Sequence, residues 1–272
     1  MAETATSSDG SAIAFERSGA GPVLVIVGGA LNTRRSPGGL VPLLSGRLTV
    51  VTFDRRGRGD STDASTAAGP HGFAVPDARD HRGAIAREVA DLHAVVEAVG
   101  GSAMLYGHSS GAALALEAAS GSSAISRVAG YEPPYSTGGG REGVPDGGAD
   151  VVQDALADGD RDRAARAFLA GTGMNPDTVA DQPWFPGLVS LAPSLPYDFA
   201  LVDDGPPADV LSRIAVPVLL MAGGDSPAWM HQAAVAAERG IRDVSLRIVP
   251  GQSHNVDDAV LAPLLLDFLV GA

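Results

Sequence analysis

The chain contains no cysteine and no lysine. Without cysteine there is no disulfide framework, no thiolate nucleophile and no Cys-ligated zinc or iron–sulfur site. All 19 basic residues are arginine, against 32 acidic ones, giving a net charge of −13 over 272 residues. Such a surface repels phosphate backbones, so nucleic acid is not an expected partner. Long apolar runs are missing too: each is broken by Gly, Pro or Asp well short of a membrane span, so no membrane partner is expected. The first ten residues, Met1–Gly10, are polar and lack the basic and apolar regions of a secretory leader; a cytoplasmic protein is the expectation. Hydrophobic residues make up 45% of the chain and charged residues 19%. That is ordinary for a globular protein, and the length suffices for a sizeable core without disulfide or metal staples.

What is present is an alternation. Short runs rich in Val, Ile and Leu fall at Pro22–Val27, Leu48–Phe53, Ser102–Tyr106, Ser126–Gly130, Val216–Ala222 and Val244–Val249. Several are apolar almost throughout, as strands covered on both faces of a parallel sheet are. Between them Ile85, Val89, Leu92, Val96 and Val99 recur at helical spacing, as do the apolar residues from Val260 to Leu269. The alternation predicts a doubly wound α/β domain. Thr4–Ser7 and Ala12–Arg17 flank the turn signal Asp9-Gly10 and predict a leading antiparallel hairpin. Residues 133–208 differ: they hold ten of the 19 prolines, two helical stretches (Val151–Leu156 and Arg163–Leu169) and the segment Trp184-Phe185-Pro186. This stretch reads as an insertion between two strands, and long excursions of that kind are usually functional.

The sharpest local signal is Gly107-His108-Ser109-Ser110-Gly111. A G-x-S-x-G string is weak alone, but this one joins the strand run ending at Tyr106 to the helix-forming run Ala112–Ala119. That context puts Ser109 on a sharp strand-to-helix turn, with the helix N-terminus favouring negative charge beside it. A hydroxyl needs a base, and the base needs an orienting carboxylate. Of six histidines, His254 stands in a loop directly after the last strand run, at the sheet edge where α/β sites form. His81 and His93 fall on a helix and read as solvated. Asp225 follows the penultimate run and is the first candidate for the acid; Glu132, just past the Val128–Gly130 run, is the second, and Asp54 reads as structural.

Together these pieces resemble the α/β-hydrolase fold family. The resemblance rests on the elbow Gly107–Gly111, the stretch Asp54-Arg55-Arg56-Gly57-Arg58-Gly59-Asp60-Ser61, the Asp225 turn and the Gly251-Gln252-Ser253-His254 loop, in that family's Ser…acid…His order. It implies an α/β-hydrolase fold with a mostly parallel central sheet flanked by helices. The core would be residues 1–132 and 209–272, with 133–208 a helical cap. It further implies a triad of Ser109, Asp225 and His254, and an oxyanion hole from the backbone N–H groups of Ala30 and Ser110. Gly28 stands where many members carry His before the first donor. Trp184, Phe185 and Tyr197 would supply an apolar ceiling for a largely apolar small-molecule substrate. The implied activity is hydrolysis of an ester, lactone or thioester through an acyl-enzyme, with no cofactor and no metal. Relatives that cleave C–C bonds, act as lyases, cyclases or perhydrolases, or bind ligands with an intact triad leave those readings open. Nothing in the residues sets an oligomeric state.

Overall fold

The computed structural model of the chain describes residues 2–65, 71, 75, 80–138 and 148–271. Residues 139–147 of the expected cap lie outside the described residues, and so does most of 66–79. In chain order the elements begin with β1 (Glu3–Thr6), β2 (Ala12–Ser18), β3 (Val23–Val27), α1 (Leu40–Leu44) and β4 (Thr49–Phe53). There follow α2 (His81–Ala98), β5 (Ala103–His108), α3 (Ser110–Ala119) and β6 (Ile125–Tyr131). After α4 (Gly148–Ala157), α5 (Arg161–Gly171), α6 (Phe185–Leu191), α7 (Leu195–Val202) and α8 (Ala208–Leu211) the chain closes with β7 (Val218–Gly223), α9 (Ala228–Glu238), β8 (Val244–Val249) and α10 (Asp258–Val270).

The strands form one eight-stranded sheet in the order β1-β2-β4-β3-β5-β6-β7-β8. β1 and β2 are the expected hairpin, and β2 joins β4 antiparallel; β4 through β8 are parallel. Alternate residues of a strand face opposite sides of the sheet. Val25 and Val27 accordingly enter the cluster that includes Leu92, Val95 and Leu114 of α2 and α3. Leu24 and Ile26 enter the other, with Leu44 of α1 and Leu265 of α10. Burial on both faces is why these strands read as unbroken apolar runs rather than as alternating patterns. Asp80 and Asp257 cap α2 and α10 by accepting the Gly83 and Ala259 N–H groups.

The segment between β6 and β7 has a small core of its own. Val152, Ala155, Leu156, Ala164, Ala165, Ala192 and Leu195 are buried together, with Ala30 and Leu31 of the loop after β3 packed against them. The segment is also rooted in the main core: Tyr197, Ala200, Leu201 and Val202 of α7 join the cluster formed by α2 and α3. The helices of the insertion therefore meet the sheet at the loop that follows β3, the same edge at which β5 hands over to α3.

Candidate functional site

Ser109 lies between the end of β5 and the start of α3, with φ 57 and ψ −131. A side-chain-bearing residue in that region stores about 1–3 kcal/mol of strain and persists only where its surroundings enforce it. Here the Ser109 N–H donates to Tyr131 O at 2.9 Å and Ser109 O accepts from the Ala112 N–H at 2.8 Å. The flanking glycines are there for close approach. A Cβ at Gly107 would run into Gly111 O and the Ala112 backbone, and one at Gly111 into the Val27 and Gly28 carbonyls. The strand-to-helix turn read from the sequence is present.

His254 is brought to the same edge. Its Nδ1 lies 2.7 Å from Glu132 Oε2, and Glu132 Oε1 accepts the Gly223 N–H at 2.7 Å. Glu132 is fully buried, while the His254 side chain is 35% exposed. Burial works against ionisation of Glu132, but His254 and the Gly223 N–H hold its carboxyl below the usual glutamate range. A carboxylate can only accept, so His254 Nδ1 donates, and in the neutral imidazole that tautomer leaves the lone pair on Nε2. Ser109 Oγ has no hydrogen-bond partner among the described residues, and no Ser109–His254 bond is formed; such contacts often tighten only with substrate present.

The expected pairing of Asp225 with His254 is not what the structure contains. β7 ends at Gly223, and Asp225 is solvent-exposed, its backbone N–H donating to Gln252 O at 2.9 Å. The carboxylate at His254 comes instead from the end of β6, where Glu132 takes φ 48 and turns its side chain inward. The reason is geometric: both strands finish at the same edge, and the backbone bend at Glu132 decides which acid points into it.

The loop after β3 runs beside the serine. A Cβ built on Gly29 would stand 2.9 Å from Ser109 Cβ and 3.0 Å from His108 O. Leu31 takes φ 56, and Asn32 Nδ2 donates to Ala30 O at 3.1 Å. Among the described residues neither the Ala30 nor the Ser110 N–H has an acceptor in the chain. A pocket of about 220 Å³ opens next to this loop, lined by Ile26, Gly29, Leu40, Tyr106, His108 and Asp258 among others.

His108 has a part that the sequence reading missed. Its Nε2 donates to His254 O at 2.8 Å, and the two rings lie tilted at 41° with 4.7 Å between centroids. Burial, with the nearby His254, pushes the His108 imidazole down to about 4. Its place inside the elbow was the available signal. His93, expected to be solvated, is half-buried and bonds Ala118 O at 2.9 Å.

The aromatic residues expected as a ceiling are scattered. Trp184 is 51% exposed and precedes α6. Phe185 is buried under the Arg166 guanidinium, 5.3 Å from its ring centroid. Tyr197 is buried in the main core and its hydroxyl donates to Asp63 at 2.7 Å. Among the described residues none of the three makes a hydrogen bond or ring contact with Ser109, His254 or the loop after β3. The apolar residues of the insertion that do cluster with Ala30 and Leu31 include Phe168, Leu188 and Phe199. Among the described residues no group of three or more His, Asp or Glu gathers as a metal site, and no helix is long and apolar enough to cross a membrane.

The profile of the alpha/beta hydrolase family matches residues 23–263. An alpha/beta hydrolase from Sphaerobacter thermophilus is 39% identical, with a TM-score of 0.84 over 98% of this chain and 100% of that one. An esterase from Rhodococcus is 23% identical, with a TM-score of 0.68 over 98% of each chain. A bromoperoxidase from Bacillus anthracis is 21% identical, with a TM-score of 0.70 over 99% of each. A search of curated proteins finds no match.

Proposed function

Because the chain belongs to the alpha/beta hydrolase family, we propose that it hydrolyses a carboxylic ester, lactone or thioester of a small, largely apolar molecule through Ser109, His254 and Glu132. The observation that carries this reading is the strained Ser109 at the N-terminus of α3, set at the same sheet edge as the 2.7 Å contact between His254 and the buried Glu132. Ser109 Oγ attacks the acyl carbon as His254 Nε2 takes its proton; His254 then returns that proton to the leaving oxygen or sulfur. Glu132 holds the imidazole in the Nδ1–H tautomer and stabilises the imidazolium. The unengaged N–H groups of Ala30 and Ser110 receive the oxyanion. Water, activated by the same histidine, releases the acyl group.

The insertion acts as a cap in this reading. Its apolar cluster closes on Ala30 and Leu31 and so supplies a dry wall next to the reacting carbonyl. The pocket beside Gly29 and His108, with Ile26, Leu40 and Leu261 on its walls, suits a small apolar part of the substrate.

A fluorophosphonate probe tests the proposal. The protein should be labelled at Ser109, and Ser109→Ala should abolish labelling and lower kcat on an activated ester by roughly 10⁴-fold or more. Activity retained in Ser109→Ala would move the chemistry to another residue.

A further inference from the structure

The segment after β4 places Arg55, Arg56 and Arg58 in the interior, each at most 2% exposed. Arg56 is held by Asp91 at 2.6 Å and 2.7 Å, away from the serine. The other two reach the loop after β3. Arg58 Nη1 donates to Gly29 O at 2.7 Å and its Nη2 to Asp198 Oδ2 at 2.8 Å. Arg55 Nη1 lies 3.3 Å from Gly28 O, 2.7 Å from Asp198 Oδ1 and 3.3 Å from Ser110 Oγ. Ser110 Oγ donates to the same Asp198 oxygen at 2.6 Å. Glu88, whose Oε1 accepts Arg55 Nε at 2.7 Å, brings the cluster to two cations and two anions.

We propose that Asp198, Arg58 and Arg55 are positioning residues for the oxyanion hole, an assignment that rests on the hydrolase reading above. In a trans peptide the N–H points away from the C=O of the same unit. Gly29 O and the Ala30 N–H belong to one unit, and Gly28 O and the Gly29 N–H to the one before. A guanidinium on the Gly29 carbonyl therefore fixes the direction of the Ala30 N–H and polarises it as a donor. The second donor, the Ser110 N–H, belongs to a residue whose hydroxyl is tied to the Asp198 carboxylate. One carboxylate thus orients both halves of the hole, from two loops that are far apart in sequence.

Asp198 comes from α7, within the insertion. Burial opposes its ionisation, but Arg58, Arg55 and the Ser110 hydroxyl hold its carboxyl below the usual aspartate range, so the clamp is charged at neutral pH. Its partners are buried as well, and a buried carboxylate is tolerated only when paired in this way. The insertion therefore completes the donor geometry from behind as well as walling the site. Donors held in a water-poor site need no reorganisation as charge develops on the substrate oxygen, which is where such contacts contribute most.

The test uses the full-length protein with rates expressed per Ser109 titrated by a fluorophosphonate, and with folding checked by Tm. Arg58→Lys keeps the charge but loses the fork that bridges Gly29 O and Asp198. It should lower kcat on p-nitrophenyl butyrate by roughly 10- to 100-fold with KM within about twofold, since losing an oxyanion donor outright costs 10²–10³. Affinity for a trifluoromethyl ketone, which forms a tetrahedral oxyanion, should fall by the same factor. Affinity for the matching methyl ketone should hold. Ser110→Ala removes no buried ion and keeps the backbone donor, and it should shift kcat in the same direction several-fold. A role in stability alone would lower Tm or the titratable fraction and leave kcat per active serine within about twofold in both variants; that result overturns the assignment. Absence of Ser109 labelling in the unaltered protein would instead overturn the hydrolase reading itself, and the assignment with it.

Discussion

Glu132 Oε2 sits 2.7 Å from His254 Nδ1 while its other oxygen accepts the Gly223 N–H, so the acid facing the histidine is fixed at both oxygens. Glu132→Gln should leave the fold largely intact yet favour the wrong histidine tautomer, lowering kcat by roughly 10³- to 10⁴-fold. Asp225→Asn, at an exposed turn, should stay within a few-fold of the parent. Steady-state rates of the two variants on one activated ester check the contrast; the opposite order would return the acid role to Asp225.

Gly29 leaves no room for a side chain against Ser109. Gly29→Ala would set a methyl 2.9 Å from Ser109 Cβ and 3.0 Å from His108 O. Overpacking of this kind costs about 1–3 kcal/mol, and a displacement of about 1 Å at a reacting group about 10²-fold in rate. A lower urea midpoint together with a reduced kcat is expected; parent values for both would mean that the loop yields freely.

His108 makes stability depend on pH, in a window it shares with Asp91, whose carboxyl burial pushes up to about 6. Burial and the neighbouring His254 hold its imidazole down to about 4, against an ordinary value of 6.5. The unfolded chain takes up this proton first as the pH falls. The stability contributed by neutral His108 is therefore complete above about 6.5 and lost progressively between 6.5 and about 4. Glu132 and Asp198, both lowered, add a second loss only below their ordinary values of 4.5 and 3.8. Asp91 works in the opposite sense below about 6, so the His108 share is read by difference: from pH 7.5 to 4.5 the urea midpoint of the parent should fall relative to that of His108→Gln, which can still donate to His254 O. An equally steep fall in that variant would assign it to another group.

Two neighbouring aromatics should separate cleanly. Trp184 is 51% exposed, so Trp184→Ala should shift stability by no more than about 0.5 kcal/mol. Phe185 is 4% exposed beneath Arg166, so Phe185→Ala should cost about 3–5 kcal/mol. Chemical denaturation measures both, and equal losses would place Trp184 in a packed interface.

The strands of the parallel sheet were legible in the sequence because burial on both faces leaves a continuous apolar run, and all six runs match strands within one residue except at the start of β7 and the end of β5, each off by two. Ser109 was legible because its string joins a strand to a helix, and His254 because it follows β8. The choice between Asp225 and Glu132 was not. Each follows a strand that ends at the same edge, and the positive φ that turns Glu132 inward leaves no mark in residue spacing. The burial of Arg55, Arg56 and Arg58 was equally hidden: arginine usually marks surface, and the partners Glu88, Asp91 and Asp198 lie 33 to 143 positions away. Tyr197 and Phe185 could be read as buried, though not against what.

The loop bearing His254 is held by its backbone as well as by the side chain. Three consecutive carbonyls, of Gln252, Ser253 and His254, accept from the Asp225 N–H, the Tyr131 hydroxyl and the His108 ring. Those donors come from the ends of three adjacent strands. His254, the base proposed above, is therefore a fixed post set in the sheet, with few conformations to search. Asp225, freed of any duty for its carboxylate, still serves through its main chain as one of the three stays. Any movement that admits substrate or lets product leave has to come from the facing side, where the outer helices of the insertion pack on Ala30 and Leu31 through apolar contact while Asp198 of α7 stays tied to Arg55 and Arg58.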